Sequence, residues 1–154
     1  MDYIFKELVS KNEFEIAQII AIEQEAFGSG GMNHWFLMPF LRHGQVFVLE
    51  NSGHIAAVAE FMRDFHNETT AYLFGLAVHQ DHRGQGLGFQ LLSTAHSSLR
   101  KQGFTKVCLT VDPNNTEALH LYCTKCNYVQ MEFLPNEYGV GEDRLYLTLE
   151  LTCP

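Results

Sequence analysis

The sequence predicts one α/β domain, residues 1–154, built around a mixed β-sheet that is flanked by helices. Three observations predict this class. Short apolar runs alternate along the chain with amphipathic helical patterns. Residues 71–111 read as a strand, a helix and a second strand, which is the pattern of a crossover between parallel strands. Residues 45–63 read as a hairpin, which adds antiparallel strands to the same sheet.

Composition limits the classes of function before any motif is considered. With 46% hydrophobic and 18% charged residues, the chain is globular rather than disordered. Its formal net charge of −8 argues against general nucleic-acid binding, which needs a basic face. The charge suits cationic or amine substrates, and an acidic surface that serves only solubility explains it at least as well. We expect a monomer or a homodimer.

The sequence also predicts where the protein works. No apolar run approaches membrane-spanning length, and no export signal precedes the first predicted strand. We therefore expect no membrane partner and a cytoplasmic location. In that compartment the four cysteines, Cys108, Cys123, Cys126 and Cys153, are expected to be reduced thiols.

The N-terminal third of the chain predicts one strand and two helices. Residues 3–9 read as the strand, and residues 12–27 carry an apolar stripe at helical spacing. The run GSGG at residues 28–31 breaks the chain and is interpreted as a loop on the substrate side. Residues 34–42 predict a second, short helix with Asn33 as its N-cap.

The middle of the chain predicts three strands. Residues 45–50 and 54–63 flank an Asn-Ser-Gly turn and form the hairpin. Residues 64–70 are polar and are predicted to be a loop. Residues 71–78 are a nearly continuous apolar run, so we expect a strand that is covered on both faces.

The helix that follows has its apolar residues on one face and ends at Gly103, and residues 106–111 predict the next strand. Asn114 and Glu117 then have capping-box spacing and predict the start of a short helix. Two final strands, at residues 128–134 and 145–151, are predicted beyond it, joined by the loop 135–143.

The first functional motif is the run RGQGLG at residues 83–88, where the apolar strand gives way to the helix. Glycines let a backbone turn sharply and bring N–H groups close to a ligand, and the first turn of a helix favours phosphate. The run therefore predicts a diphosphate-binding loop; a turn that only packs helix against strand is the alternative. A dinucleotide fingerprint is excluded because position 89 is Phe, and the chain has no Gly-Lys-Ser/Thr tripeptide of the ATP type.

Two motifs in order identify a family resemblance. The glycine run extends to Val78-x-x-x-x-Arg83-Gly84-x-Gly86-x-Gly88 and resembles the acetyl-CoA motif of the GNAT N-acetyltransferase superfamily. Beyond the next predicted strand, the spacing Asn115-x-x-Ala118-x-x-Leu121-Tyr122 also resembles this superfamily. The resemblance covers almost the whole chain. A weaker resemblance is to bacterial ribosomal-protein alanine N-acetyltransferases. It lies in Ile22-Glu23-Gln24 with Phe27 and in Glu142-Asp143.

This resemblance implies a mostly antiparallel sheet in which one parallel pair of strands splays apart, with acetyl-CoA as co-substrate and no metal. It implies that strand backbone lines the pantetheine arm, that the glycine loop wraps the diphosphate, and that an Asn bonds the arm. The cofactor-binding residues implied are Leu76, Ala77, Val78, Arg83, Gly84, Gln85, Gly86, Leu87, Gly88 and Asn115. Phe27 and Tyr138 are implied as substrate-binding residues, and an exposed loop aromatic is an equal alternative for Tyr138.

The implied activity is acetyl transfer to a primary amine by direct attack while both substrates are bound. The amine is a peptide N-terminus, a lysine or a small amine. Tyr122 is the implied general acid that protonates the CoA thiolate. The N-terminal transferases place a catalytic Glu where this chain has Thr110, so the base is open. Glu60 is the first candidate, and Glu68, His66, His79 or a water relay are the alternatives.

Two further departures from the family lie near Tyr122. The segment from Tyr122 to Tyr128 is one residue longer than the usual spacing, and Asn127 replaces a glycine. Asn is the next-best residue for a left-handed helix end.

Two other hypotheses compete with the transferase. A non-catalytic acyl-CoA sensor is one, because the strand Glu is missing. The other is a metal or redox site in the run His120-x-x-Cys123-x-x-Cys126. Zinc would need further ligands, and only Cys108 and Cys153 remain, far away in sequence.

Overall fold

The computed structural model describes residues 2–9 and 11–151. The strands and helices are, in chain order, β1 (Ile4–Leu8), α1 (Glu13–Phe27), α2 (His34–His43), β2 (Gln45–Asn51), β3 (His54–Asp64), β4 (Asn67–Val78), α3 (Leu87–Lys101), β5 (Lys106–Val111), α4 (Thr116–Leu119), a π-helix (His120–Lys125), β6 (Val129–Leu134) and β7 (Arg144–Glu150). None of these helices is long and apolar enough to cross a membrane.

The strands form one mixed sheet in the order β1-β2-β3-β4-β5-β7-β6. β1 with β2, β2 with β3, β5 with β7 and β6 with β7 pair antiparallel. β4 and β5 are parallel, and their ladder joins Thr70 with Lys106, Ala71 with Val107 and Tyr72 with Cys108. β4 continues beyond this ladder to Val78. The predicted fold class, a largely antiparallel sheet with one parallel pair and flanking helices, is confirmed.

The described residues fall into two compact units. Unit 1 contains the residues up to Met62 and Phe74–Ala95, and unit 2 contains Arg63–Leu73 and the residues from His96 onward. In unit 1, apolar side chains of α1, α2, the strands and the segment between the two helices pack into a buried core: Leu8, Ile16, Ile19, Ile22, Met32, Leu37, Val46, Val48, Ile55, Val58 and Ala77. In unit 2, β5 and β7 contribute Val107, Leu109 and Leu147, which are almost fully buried.

Side-chain caps explain where the first two helices begin. The Asn12 carboxamide oxygen accepts the Phe14 N–H at 2.9 Å, which satisfies a donor that has no partner within α1. Asn33 does the same for Trp35 at 3.0 Å, so its predicted role as the N-cap of α2 is confirmed. Both helices therefore start where the sequence predicts.

The predicted loop at residues 64–70 is wrong. β3 extends to Asp64 and β4 begins at Asn67, so a turn of two residues, Phe65 and His66, joins them. The Asp64 carboxylate accepts the His66 N–H at 2.8 Å and fixes this turn. The polar composition reflects strand ends that project beyond the core into solvent, since Asn67 and Glu68 are exposed, and does not indicate loss of strand pairing.

The predicted cap of the short helix is displaced by one residue. Asn115, not Asn114, is the N-cap of α4, and its side-chain oxygen accepts the Ala118 N–H at 3.1 Å. The Asn114 N–H instead donates to the Asp112 carboxylate at 2.8 Å in the preceding turn. Asp112 thus takes up Asn114 in an Asx turn, and the helix can begin only at the next residue.

The extra residue between Tyr122 and Tyr128 is accommodated by a π-helix. The Cys126 N–H donates to the Leu121 carbonyl at 2.9 Å, five residues back, where an α-helix would bond four residues back. Asn127 then has φ 64°, the left-handed conformation expected of the residue that replaces glycine there. One inserted residue is therefore absorbed within a single turn.

Candidate active site

The glycine loop of unit 1 has the backbone of an anion-binding turn. Gly84 and Gly86 both have φ 76°, whereas Arg83 between β4 and these glycines has φ −68°. Alternating signs of φ turn successive N–H groups toward one concave side, the arrangement that binds anions. A β-carbon at either glycine would meet no protein atom within 4 Å. The glycines are thus required by their conformation, while the space beside them stays open.

Side chains of the loop are already engaged by protein groups. The Arg83 guanidinium donates to the Val78 carbonyl at 3.1 Å and forms a short ion pair with Glu25. The Gln85 carboxamide oxygen accepts from the Tyr3 hydroxyl at 3.2 Å. Leu87, the first residue of α3, is buried. The backbone N–H groups of the loop are consequently its main binding groups.

The residues at the end of β4 that the sequence predicts to bind the cofactor precede this loop, separated from it by a short turn. Ala77 is buried in the core of unit 1, whereas Leu76 and Val78 are partly exposed. The Val78 carbonyl is occupied by Arg83. The structure thus brings together, within unit 1, the predicted residues at the end of β4 and the predicted glycine loop.

A pair of buried acids lies beside Gly75, three residues before the end of β4. Glu60 on β3 has no exposed surface, and Glu23 on α1 is 2% exposed. Both reach the side-chain position of Gly75 on β4, where a β-carbon would lie 2.7 Å from Glu60 Oε2 and 3.3 Å from Glu23 Oε1. Burial and the neighbouring Glu23 raise the pKa of Glu60 well above its ordinary value. Glu60 is therefore protonated over a wider pH range than a surface glutamate.

The segment after α1 is tied to the same pair. The Met32 N–H donates to Glu23 Oε2 at 3.4 Å, and Gly31 packs so closely that a β-carbon would lie 2.5 Å from the Glu23 carbonyl oxygen. The predicted substrate-side loop is thus anchored on the residue that adjoins Glu60.

Unit 2 contains the predicted acid and the predicted arm-binding residue. Tyr122 lies in the π-helix, is 9% exposed and packs edge-on against Tyr128 with ring centres 5.7 Å apart. Tyr128 is held by His96, whose Nε2 lies 2.8 Å from the Tyr128 hydroxyl. Asn115 is exposed, and its carboxamide oxygen caps α4, so its NH₂ group is the part available to a ligand.

Three hydroxyls of unit 2 meet at the position where the N-terminal transferases carry a glutamate. Thr110 Oγ1 lies 3.1 Å from the Tyr72 hydroxyl and 3.3 Å from the Tyr138 hydroxyl, and the two tyrosines are 3.4 Å apart. Burial raises the pKa of the Tyr72 hydroxyl, so this hydroxyl is neutral near pH 7. The cluster can orient polar groups and cannot act as a carboxylate base.

Tyr138 is positioned by its own loop. Its N–H donates to the Glu142 carbonyl at 3.2 Å, and the Asp143 carboxylate accepts the Asn136 N–H at 2.8 Å. The Arg144 guanidinium lies 4.6 Å from the centre of the Tyr138 ring. The acidic dipeptide noted in the sequence therefore shapes the loop that carries this tyrosine.

The other candidate bases and Phe27 are less well placed. His66 lies in the exposed turn between β3 and β4, and Glu68 is exposed on β4. His79 Nδ1 accepts the Asp81 N–H at 3.2 Å, so its lone pair is engaged in a short turn. Phe27 ends α1 and is 45% exposed. Glu60 is the candidate base that is buried, and it lies beside a second buried acid, Glu23.

The cysteine run does not form a metal or redox centre in the described residues. Cys108, Cys123 and Cys126 are free thiols, and no group of three or more His, Cys, Asp or Glu side chains among residues 2–9 and 11–151 could hold a metal ion. Burial raises the pKa of Cys126 to about 11, which disfavours the reactive thiolate. Cys153 lies outside the described residues.

Sequence reasoning missed the roles of Glu23, Gly75 and Tyr72. A signal existed for the first two. Glu23 follows Ile22 and lies four residues after Ile19, on the buried side of α1, and Glu60 interrupts a buried run of β3. A glycine in the apolar run of β4 marks a close approach. Tyr72 had no comparable signal, because its partners Thr110 and Tyr138 are distant in sequence.

Fold and loop together define a class: an α/β protein with a glycine loop suited to a phosphorylated ligand. The chain belongs to the GNAT family of acetyltransferases, which it matches over residues 13–128. It is an N-acetyltransferase.

Individual relatives agree with this class. The chain is 29% identical over 121 residues to the L-amino acid N-acyltransferase MnaT of Escherichia coli (strain K12), covering 76% of this chain and 70% of that protein. Its fold is similar to that of the ribosomal-protein-S18-alanine N-acetyltransferase of Escherichia coli, with TM-score 0.80, 23% identity, and coverage of 98% and 96%. It is also similar to a Bacillus subtilis acetyltransferase in complex with CoA, with TM-score 0.78, 16% identity, and coverage of 98% and 100%.

Proposed function

We propose that this protein is a single-domain enzyme that transfers the acetyl group of acetyl-CoA to a primary amine by direct attack in a ternary complex. The observation that carries the proposal is the loop of Gly84 and Gly86, with φ 76° at both, between β4 and the first turn of α3. Its N–H groups and the helix dipole favour a diphosphate. The cytoplasmic location expected from the sequence belongs to the same proposal.

Acetyl-CoA is the cofactor in this proposal. The proposed cofactor contacts are the backbone of Leu76, Ala77 and Val78, the loop at residues 83–88 and the Asn115 NH₂ group. The Bacillus subtilis protein of similar fold was solved with CoA, which supports an acyl-CoA ligand. No metal takes part in the proposed step.

The acceptor is a small primary amine, with the α-amine of an L-amino acid as the first to test. The supporting observation is the likeness to MnaT, which is named for L-amino acids. Peptide N-termini are the second acceptor class, because of the fold likeness to a protein named for alanine of a ribosomal protein. In either case Phe27 and Tyr138 are the proposed acceptor contacts, and Tyr138 would offer its hydroxyl.

The chemistry needs one proton acceptor and one proton donor. Glu60 takes the first proton of the ammonium, the free amine attacks, and a bond forms between nitrogen and the acetyl carbon. The bond between that carbon and sulfur breaks, and Tyr122 gives its proton to the thiolate. The second proton lost from nitrogen restores Tyr122. The products are the amide, CoA as the thiol and one proton that Glu60 releases.

The test is thiol release from acetyl-CoA with a panel of L-amino acids, short peptides, polyamines and aminoglycosides. We expect at least one α-amine to be acetylated, with a 1:1 ratio of amide to free CoA by mass spectrometry. Tight acetyl-CoA binding by calorimetry, with no turnover on any acceptor, would contradict the proposal and favour the acyl-CoA sensor.

Tyr122→Phe tests the general acid. We expect kcat to fall by about 10- to 100-fold, because the thiolate leaves unprotonated, while the Kd for acetyl-CoA changes by less than about threefold. Stopped-flow turnover and calorimetric titration measure the two quantities. Tyr146→Phe, which removes a hydroxyl on β7 of the same unit, is the matched control. Equal turnover of Tyr122→Phe and wild type at every pH would exclude the acid role.

A further inference from the structure

The two carboxyl side chains that are buried in the described residues lie together. Glu23 and Glu60 are 2% and 0% exposed, and both approach the missing β-carbon of Gly75. In the described part of the chain, neither Glu60 oxygen nor Glu23 Oε1 has a hydrogen-bond partner. Two unpaired buried carboxylates side by side are strongly disfavoured, so the pair needs a proton.

None of the salt bridges among the described residues involves Glu60 or Glu23. α1 presents Glu23, β4 presents Gly75, and β2 presents Val46 opposite Glu60. The segment after α1 presents the Met32 N–H to Oε2 of Glu23. Glu23 is also the charged neighbour that shifts the pKa of Glu60. A protonated Glu60 that donates to the Glu23 carboxylate satisfies both groups with one proton.

We infer that Glu23 is a positioning residue for acetyl transfer: its carboxylate holds Glu60 over Gly75 and makes Glu60 a stronger acceptor for the proton of the incoming amine. This inference rests on the proposed function. It assigns to α1 the positioning of the base Glu60, a role that neither the glycine loop nor Tyr122 provides. Glu23 itself does not touch the substrate in this scheme.

The proton step is balanced within the pair and the amine. Glu60 ionises by releasing its shared proton to solvent when the acceptor binds. An N–H bond of the ammonium then breaks, an O–H bond forms on Glu60, and that proton is again shared with Glu23. Because a neighbouring negative charge opposes ionisation, ionised Glu60 is a stronger base than an isolated carboxylate.

Gly75 fits this role. A side chain there would occupy the place of the Glu60 carboxyl, since even a β-carbon would lie 2.7 Å from Oε2. Gly75 is itself partly exposed, so the buried carboxyl touches a residue at the surface of β4. Only a glycine lets Glu60 occupy this position from the neighbouring strand.

The first experiment needs no substrate and measures urea unfolding of the full chain from pH 5 to 9. The raised pKa of Glu60 means that the folded protein keeps a proton that the unfolded chain has lost. The stability that this proton contributes is complete below the unfolded pKa of Glu60 and is lost as pH rises through its folded pKa. We expect the folding equilibrium constant of wild type to fall by up to tenfold per pH unit. Glu60→Gln should flatten this dependence, and Glu23→Gln should reduce it, because burial still raises the pKa of Glu60 in that variant.

Glu7→Gln is the matched control, because Glu7 is an exposed carboxylate on β1 of the same unit. It should keep the wild-type slope. A wild-type slope that survives in Glu60→Gln or in Glu23→Gln would overturn the sharing of a proton, whatever the enzyme does.

The second experiment is the pH dependence of kcat/KM with the best acceptor. Glu23→Gln should move the acid limb toward lower pH, because a carboxamide N–H stabilises ionised Glu60, and should lower the plateau by about 3- to 30-fold. An unshifted acid limb in Glu23→Gln, with wild-type turnover intact, would overturn the inference alone. Absence of turnover in wild type with every amine would instead remove the proposed function, and with it the catalytic role of the pair.

Discussion

Unit 1 and unit 2 each contain a contacting pair of buried titratable side chains, and these two pairs differ in kind. In unit 2, Tyr128 and His96 are complementary partners joined by a 2.8 Å hydrogen bond. In unit 1, Glu23 and Glu60 are two acids with three carboxyl oxygens that lack partners in the described residues. Burial lowers the pKa of His96 to about 4 and raises that of Glu60. One pair is satisfied by the fold itself, whereas the other is satisfied only by a proton that it can also lose.

This contrast indicates that the acid pair, rather than the pair of His96 and Tyr128, is the one to connect with proton transfer. A neutral histidine hydrogen-bonded to a tyrosine holds a ring in place and has no proton to exchange near pH 7. A buried acid with a raised pKa keeps a proton that an ordinary carboxyl group would already have lost, and such groups cluster at functional sites. The following variants test the contrast, beginning with the largest expected effect.

Replacing Glu60 by Gln should produce the largest change in activity. We expect kcat/KM to fall by about 10²- to 10⁴-fold, the usual loss when a general base is removed. The matched variant in the other pair is His96→Gln, which should change kcat/KM by less than about threefold. Initial rates at fixed acetyl-CoA measure both. Similar losses in the two variants would mean that both pairs act only through the fold.

The second test uses pH and stability. Because the folded pKa of His96 lies below its unfolded value, its contribution is complete above about pH 6.5 and is lost as pH falls toward 4. The loss should reach about 3 kcal/mol at pH 4, since each pH unit corresponds to about 1.4 kcal/mol. Urea unfolding of His96→Phe should lack this acid loss and keep the opposite, alkaline loss that we assign to Glu60. An unchanged acid loss in His96→Phe would contradict the assignment.

The third and smallest test is Gly75→Ala. The new methyl group would lie 2.7 Å from Glu60 Oε2, so the carboxyl must move and we expect a loss of about 1–3 kcal/mol in the free energy of unfolding. Gly30→Ala is the control, because no heavy atom lies within 4 Å of its added β-carbon. Chemical denaturation of the two variants gives the comparison. A stable, fully active Gly75→Ala would show that Glu60 need not lie where it does.

Much of the fold could be predicted from local patterns. The caps of α1 and α2, the apolar run of β4 and the glycine loop each depend on neighbours in sequence, and each is where the sequence predicts. The loop at residues 64–70 was wrong because an exposed strand end and a loop have the same polar composition, and only pairing across the sheet separates them.

The candidate site was less predictable for the same reason. The glycine loop is local, so its residues carry their own signal. The pair of Glu23 and Glu60 and the hydroxyl cluster around Thr110 arise from contacts across 28 and more positions of the chain. Glu60 could therefore be proposed only as one of several acids and histidines. The register that aligns Glu60 with Val46 on β2 is what turns it into a core residue.

The π-helix at His120–Lys125 has a consequence for how this chain tolerates changes of length. The Tyr128 N–H donates to the Tyr122 carbonyl at 2.9 Å, so the two tyrosines remain linked although a residue has been added between them. The wider π-helical turn accommodates the additional backbone length, while the hydrogen bond between Tyr122 and Tyr128 is kept. Deleting one residue there should tighten the turn into an ordinary α-helix without moving either ring.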